Sequence, residues 1–256
     1  VGGKYIHDHK KYQKLTPAEI IKYSSNIGSA KIGKMLERKT YHSYLADFGF
    51  GQPTGIDLPG EASGLLRPPN KWFEVDLAAI SFGQGVSVTP LQLTVATAAI
   101  ANGGYLMEPF VVERVVDRQG QVTRKNQPRV VRKVIARDVA ALVSRMMEMT
   151  TEDGGTAINA RVPGFRVAGK TGTAQKSRDG MGYTPGAYIA SFAGLLPVED
   201  PRPAHLDLLE GLEVDLHRLH RLVPTVVGQE IQNRRMGDQF ALPENDPIVV
   251  VICAVF

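Results

Sequence analysis

The chain has 256 residues, enough to bury a core as one large domain or two modest ones. Its 43% hydrophobic and 22% charged residues are those of an ordinary globular protein, and a net charge of +4 without a dense Lys/Arg run argues against nucleic acid as a partner. One cysteine, Cys253, excludes an internal disulfide framework and a cysteine-based zinc site.

No apolar run nears the roughly 18 residues of a membrane span, and no signal peptide is present. Val1 at the start and the apolar stretch "PIVVVICAVF" at the end read as the cut ends of a piece of a longer protein. Residues 1 to 15 are polar and basic and read as loop. "TPAEIIKY" then starts a helix, with Thr16 as N-cap, Pro17 at the first helical position and Glu19 closing a capping box. After "SSN", the segment "IGSAKIGKMLERK" continues with helical spacing of Ile27, Ala30 and Ile32, and "YHSYLADFGF" reads as a further short helix ending at Gly49. The Gly- and Pro-crowded stretch Gly51 to Asn70 is an ordered connection. A buried helix follows, capped by Thr89, begun by Pro90 and stopped by Asn102-Gly103-Gly104.

"PFVVERVVDRQGQV" predicts a strand and turn on the rim. "ARDVAALVSRMMEMTTEDGG" predicts an amphipathic helix with Val139, Leu142, Val143, Met146 and Met147 on one face. "GFRVAGKTGTAQK" and "AYIASFAGLLP" alternate as two neighbouring strands joined by "SRDGMGYTPG". Helices first and strands last, without a βαβ rhythm, predict an α+β fold with an antiparallel sheet.

Gly164 to Thr171 also fits the phosphate-loop pattern G-x-x-x-x-G-K-[ST]. That reading fails on its surroundings. Pro163 precedes the first glycine, Phe165 and Val167 favour extended backbone, and Gly172 and "DGMGYTPG" replace the helix that a phosphate loop needs. The same stretch fits the K-T-G strand of enzymes that acylate a serine. Lys170 beside Thr171 and Thr173 makes a receptor for a carboxylate, Gly172 lets a substrate lie against the backbone, and the Thr173 N–H is a candidate oxyanion donor. Alternation puts Lys170 and Gly172 on the opposite side from Thr171 and Thr173. A solvated basic edge strand would look the same.

Ser24 and Asn26, in "YSSNIG", supply a hydroxyl and an amide at i and i+2 where one helix gives way to the next. Ser24 is placed to relay a proton to a leaving amine, and Asn26 to hold a substrate's peptide carbonyl; equally, Ser/Asn pairs are routine helix caps. "YSSNIGSAKIG", "FGFGQPTGIDLPGE", "ISFGQGVSVTPLQLTVATAAIANGG" and "GGTAINARVPGFRVAGKTGTAQK" occur in this order. Together they resemble the transpeptidase domain of class B penicillin-binding proteins, within them the cell-division (septal) peptidoglycan D,D-transpeptidases, over about residues 1–200.

The resemblance implies the penicillin-binding protein/β-lactamase-like fold, a five-stranded antiparallel sheet packed with helices, with its active site between sheet and helical region. It implies Ser24 and Asn26 as the second catalytic motif and Lys170 to Thr173 as the third, Thr171, Gly172 and Thr173 binding substrate. It also implies a stem peptide ending in D-Ala-D-Ala, or a β-lactam, as ligand, with no metal or organic cofactor. Divisome membrane proteins would be partners, outside the cytoplasmic membrane.

Two features depart from that pattern. No serine has a lysine three residues later, so the Ser-x-x-Lys nucleophile is missing, and the domain reads as N-terminally truncated. Thr173 to Lys176 has the spacing but lies on the strand. Second, Arg202 to Pro247 reads as an atypical insertion between a domain covering 1–201 and a last sheet strand at 248–256. Within it Leu209, Leu212, Leu216 and Leu219 space as a helix face, and Glu213, His217 and His220 share one side, either as a solvated face or a zinc site lacking a third strong ligand. A non-catalytic relative serving as a wall-assembly partner or β-lactam sensor is the alternative function. A β-lactamase would need a residue to position a deacylating water, and none is apparent.

Overall fold

The computed structural model describes residues 1, 3, 5–177, 182–198 and 248–255. Helix α1 (Pro17–Tyr23) begins as the sequence predicts: the Glu19 N–H donates to Thr16 Oγ1, and the Thr16 N–H donates to the Glu19 carboxylate at 2.8 Å. It stops at Ser24, whose φ of 54° and ψ of 47° are left-handed. Helix α2 (Asn26–Asp47) starts two residues later, with Ser25 as its N-cap. The two helices predicted for this stretch are one run interrupted at Glu37, where φ 61° and ψ 164° leave the helical region.

The buried face of α2 differs from the predicted one. Ile27 and Ile32 stand partly exposed, while Gly28, Ala30 and Gly33 are buried. Close approach is the reason. A Cβ on Gly28 would lie 2.6 Å from Ile20 Cγ1, and one on Gly33 would lie 1.8 Å from Ser81 Oγ. The small residues therefore let α2 seat against α1 and against α3 (Glu74–Ile80), a helix the sequence reading passed over. Trp72, Leu77 and Ile80 form one core cluster, with Tyr41, Leu45, Leu66 and Val86 packed around it.

Helix α4 (Pro90–Ala101) keeps its predicted Thr89 cap and Asn102 stop. Its buried Gln92 also holds down the Gly/Pro-rich connection: Nε2 donates to the Gln52 and Ser63 carbonyls, each at 2.8 Å. Four short strands follow, β1 (Tyr105–Glu108), β2 (Arg114–Val116), β3 (Val122–Lys125) and β4 (Arg129–Lys133). β2 and the turn after it match the predicted strand and turn on the rim, with β3 completing a hairpin; β1 pairs with β4 in a ladder the sequence reading did not anticipate.

Helix α5 (Arg137–Glu148) is amphipathic, but its inward stripe is Ala140, Val143, Ser144 and Met147. Val139 and Leu142, predicted inside, are 42% and 45% exposed. Small Ala140 and Ser144 are buried on a helix that packs against α1, α4 and β5 (Ala168–Ser177). β5, β6 (Tyr183–Leu196) and β7 (Ile248–Val255) make an antiparallel sheet in that order, with β5 at an edge. Of the five strands implied by the resemblance, the described residues supply these three. α4 lies along β6 and β7 and α5 along β5, with a second core cluster of Met147, Ala168 and Leu195 between helix and sheet.

Helices packed on an antiparallel sheet make the fold α+β, as predicted. The predicted strand from Gly164 starts only at Ala168, because Gly164, with φ 82°, belongs to a turn. Lys170 and Thr171 sit inside an extended strand, so no helix starts there to cradle a phosphate. The predicted insertion Arg202 to Pro247, with its leucine face and Glu213, His217 and His220, lies outside the described residues.

Candidate functional site

Ser24 and Lys170, 146 residues apart in sequence, meet: Lys170 Nζ donates to Ser24 Oγ at 2.7 Å. A second Lys170 N–H donates to the Thr171 carbonyl, also at 2.7 Å. Among the described residues no carboxylate pairs with this amine, and its withdrawal from water pulls its pKa from 10.5 down to about 8. Alternation along β5 sets Lys170 on the face opposite Thr171, yet both reach one crevice. The strand is an edge, so its two faces meet at the open side, and the four-carbon lysine stem bends around to it.

The Ser24 end of the crevice is set by the break between two helices. The Ser24 N–H donates to the Ile21 carbonyl and the Ser25 N–H to that of Ile20, which closes α1 and leaves Ser24 in its left-handed turn. Ser25, fully buried, faces the other way. Its Oγ accepts from the Gly28 N–H at 2.9 Å and donates to Asp8 Oδ2 at 2.8 Å. Asp8 Oδ1 accepts from the Ile27 N–H, and Asn26 Nδ2 donates to the His7 carbonyl at 3.0 Å. Asn26 thus stands beside Ser24 at the head of α2, tied to the N-terminal segment. The sequence reading did not single out Asp8, since a lone aspartate in a polar loop carries no local signal.

The β5 end is organised by alternation of backbone groups. The Arg166 carbonyl accepts from the Val198 N–H, on the β6 side. The Val167 and Gly169 carbonyls turn the other way, to Thr151 Oγ1 at 2.8 Å and Thr150 Oγ1 at 3.0 Å, and the Thr171 carbonyl goes to Lys170. Odd-numbered residues of β5 therefore present N–H and C=O to the open edge, and the period of two carries Thr173 with them. An exposed Thr173 N–H aimed out of the sheet is what an oxyanion donor requires. Gly172 pairs with Ser191 of β6, whose Oγ a Cβ at 172 would approach to 2.5 Å. Thr171 Oγ1 lies 3.2 Å from Thr156 Oγ1. Thr150, Thr151 and Thr156 were not predicted as site residues; the Gly154-Gly155 pair was an available signal for Thr156 alone.

Lys170, its pKa lowered, thus meets the Ser24 hydroxyl beside the open edge of β5, where the Thr171 hydroxyl reaches Thr156. A cationic amine against a hydroxyl has the chemistry to attract an anion and to pass on a proton. Among the described residues no cluster of His, Cys, Asp or Glu is arranged to hold a metal ion. A separate cavity of about 60 Å³, lined by Phe48, Gln92, Leu106 and Arg132 among others, touches none of the site residues.

Comparison with known proteins identifies the family of this domain. The family model "Penicillin binding protein transpeptidase domain" matches residues 1–213. Stage V sporulation protein D of Bacillus subtilis is 41% identical over 187 residues, 73% of this chain and 29% of that protein. Peptidoglycan D,D-transpeptidase FtsI of Escherichia coli K12 is 32% identical over 202 residues, 79% of this chain and 32% of that protein. The crystal structure of penicillin binding protein 3 from Mycobacterium tuberculosis, complexed with aztreonam, superposes with a TM-score of 0.72 at 34% identity, covering 77% of this chain and 46% of that one. The chain spans roughly a third of the length of these two curated relatives. With a family model over most of its length, a shared fold and relatives of this kind, the chain belongs to the penicillin-binding protein transpeptidase domain family.

Proposed function

We propose that this chain forms the substrate-binding and proton-transfer half of a peptidoglycan D,D-transpeptidase of the cell-division type. The observation that carries the reading is the 2.7 Å contact from Lys170 Nζ to Ser24 Oγ. Because Ser24 Oγ accepts from the ammonium, its own proton is turned elsewhere, toward the leaving amine of a D-Ala-D-Ala end. Lys170 and the hydroxyls of Thr171 and Thr173 hold the terminal carboxylate, the Thr173 N–H stabilises the oxyanion, and Asn26 lines the cleft beside the peptide. The acyl-enzyme is then resolved by an amine of a neighbouring stem peptide, forming the cross-link and returning the serine. β-Lactams enter as mimics of the same D-Ala-D-Ala end.

The nucleophile comes from outside these residues, since no serine here has a lysine three positions later. Alone, the chain is inert; its parent works on the outer face of the cytoplasmic membrane, held by an anchor, among other division proteins. Among the described residues no helix is long and apolar enough to cross a membrane. The test is labelling of the full-length gene product with a fluorescent penicillin. Labelling that disappears when the parent's Ser-x-x-Lys serine becomes alanine supports the enzyme. An intact product that binds penicillin only reversibly supports the second reading, a non-catalytic β-lactam sensor or wall-assembly partner, which the missing motif favours.

A further inference from the structure

The turn from α5 into β5 grips the strand at alternate residues. Thr151, Thr150 and Thr156 reach Val167, Gly169 and Thr171 in order, the first two at backbone carbonyls and the third at a side-chain hydroxyl. Two carbonyl contacts suffice to anchor the open edge, so the third needs another explanation. The chain also takes trouble to form it. Gly154 has φ 77°, and a Cβ on Gly155 would stand 2.2 Å from the Thr150 carbonyl oxygen. The Ala157 N–H then donates to that same carbonyl at 2.8 Å, which fixes Thr156 beside the strand. Two glycines thus fold the loop back tightly enough to deliver one hydroxyl to Thr171.

We propose that Thr156 is a positioning residue that sets the hydroxyl proton of Thr171 for the substrate's terminal carboxylate. Each threonine hydroxyl has one proton and can also accept. In the unliganded arrangement Thr171 donates to Thr156. When a carboxylate arrives, Thr171 turns its proton to the anion and Thr156 donates to Thr171 in its place. The two hydroxyls then form a short chain ending on the ligand, in which each bond polarises the next. Without Thr156, the Thr171 rotor has no partner to hold it and loses that polarisation. No covalent step is involved, so the effect falls on recognition of the carboxylate and leaves the acylation chemistry alone.

This inference rests on the transpeptidase reading. It is tested in the full-length gene product with Thr156→Val and Thr156→Ser, comparing acylation by a penicillin with acylation by the methyl ester of the same penicillin. Thr156→Val is expected to lower the second-order rate with the free acid about 3- to 10-fold, the size of one net hydrogen bond, with the ester's rate unchanged. Thr156→Ser, which keeps the hydroxyl, is expected to restore the rate. An equal loss on acid and ester would mean general loosening of the loop and would overturn the proposal, as would no loss on either. Wild-type protein that acylates with neither compound would sink the transpeptidase reading and this one with it. Normal wild-type acylation and an indifferent Thr156→Val would sink this one alone.

Discussion

Ser24 combines the proposed proton-relay role with backbone strain. A serine in the left-handed region costs roughly 1 kcal/mol against glycine, and the hydroxyl that meets Lys170 is what that cost retains. Ser24→Gly is expected to raise stability by up to about 1 kcal/mol in thermal denaturation while removing penicillin acylation from the full-length protein. Lys170 makes a second prediction, in pH. Its folded pKa, about 8, lies below the unfolded value of 10.5, so between those two values the unfolded chain binds more protons and stability rises with pH. The burial penalty is fully present below pH 8 and is lost as pH climbs toward 10.5. Relative to Lys170→Met, wild type should therefore gain on the order of 3 kcal/mol across that window, read from chemical denaturation at a series of pH values. A flat difference would mean that the amine is as well solvated folded as unfolded. In the free enzyme the same titration removes the cation, so acylation by carboxylate-bearing β-lactams should fall with a midpoint near pH 8.

Among the elements, α2 departs most from ideal geometry. Glu37 occupies a φ/ψ region that is nearly reserved for glycine, yet its side chain is exposed. Glu37→Gly should be neutral or stabilise by about 1 kcal/mol, measured by thermal melting. Gln92 is the opposite case, a buried amide serving two carbonyls of the long connection. Gln92→Leu should cost about 1–3 kcal/mol in chemical denaturation, because both carbonyls lose the amide that serves them. Helix starts were legible in sequence because their signals are local: Thr16 with Glu19, and Thr89 with Pro90, each act within one turn. The inward stripe of α5 was not. Hydrophobicity alone favoured Val139 and Leu142, whereas packing against α1, α4 and β5 buries Ala140 and Ser144, and that packing is a tertiary fact. For the same reason Gly28 and Gly33, rather than the isoleucines beside them, mark the buried side of α2.

At the scale of the whole molecule, the sheet and the α1–α2 junction are the two walls of one crevice. The motifs on each wall could be read in the sequence because their residue types and spacings are dictated by chemistry. What lies behind them could not. Asp8, Thr150 and Thr151 act through folded-back loops, and nothing within a few positions of each announces its partner.

The alternating orientation of β5 has a consequence for how this segment tolerates change. Between Val167 and Thr173 a substitution acts at its own position, as a side chain added at Gly169 would, against Phe192. Deleting or adding one residue there would rotate every downstream group by half a turn, sending the Thr173 amide into the sheet interior and the Gly172 amide out to solvent. Sequence length in this span is thus constrained as well as sequence identity, and a one-residue indel should silence the site while leaving most of the helical region folded.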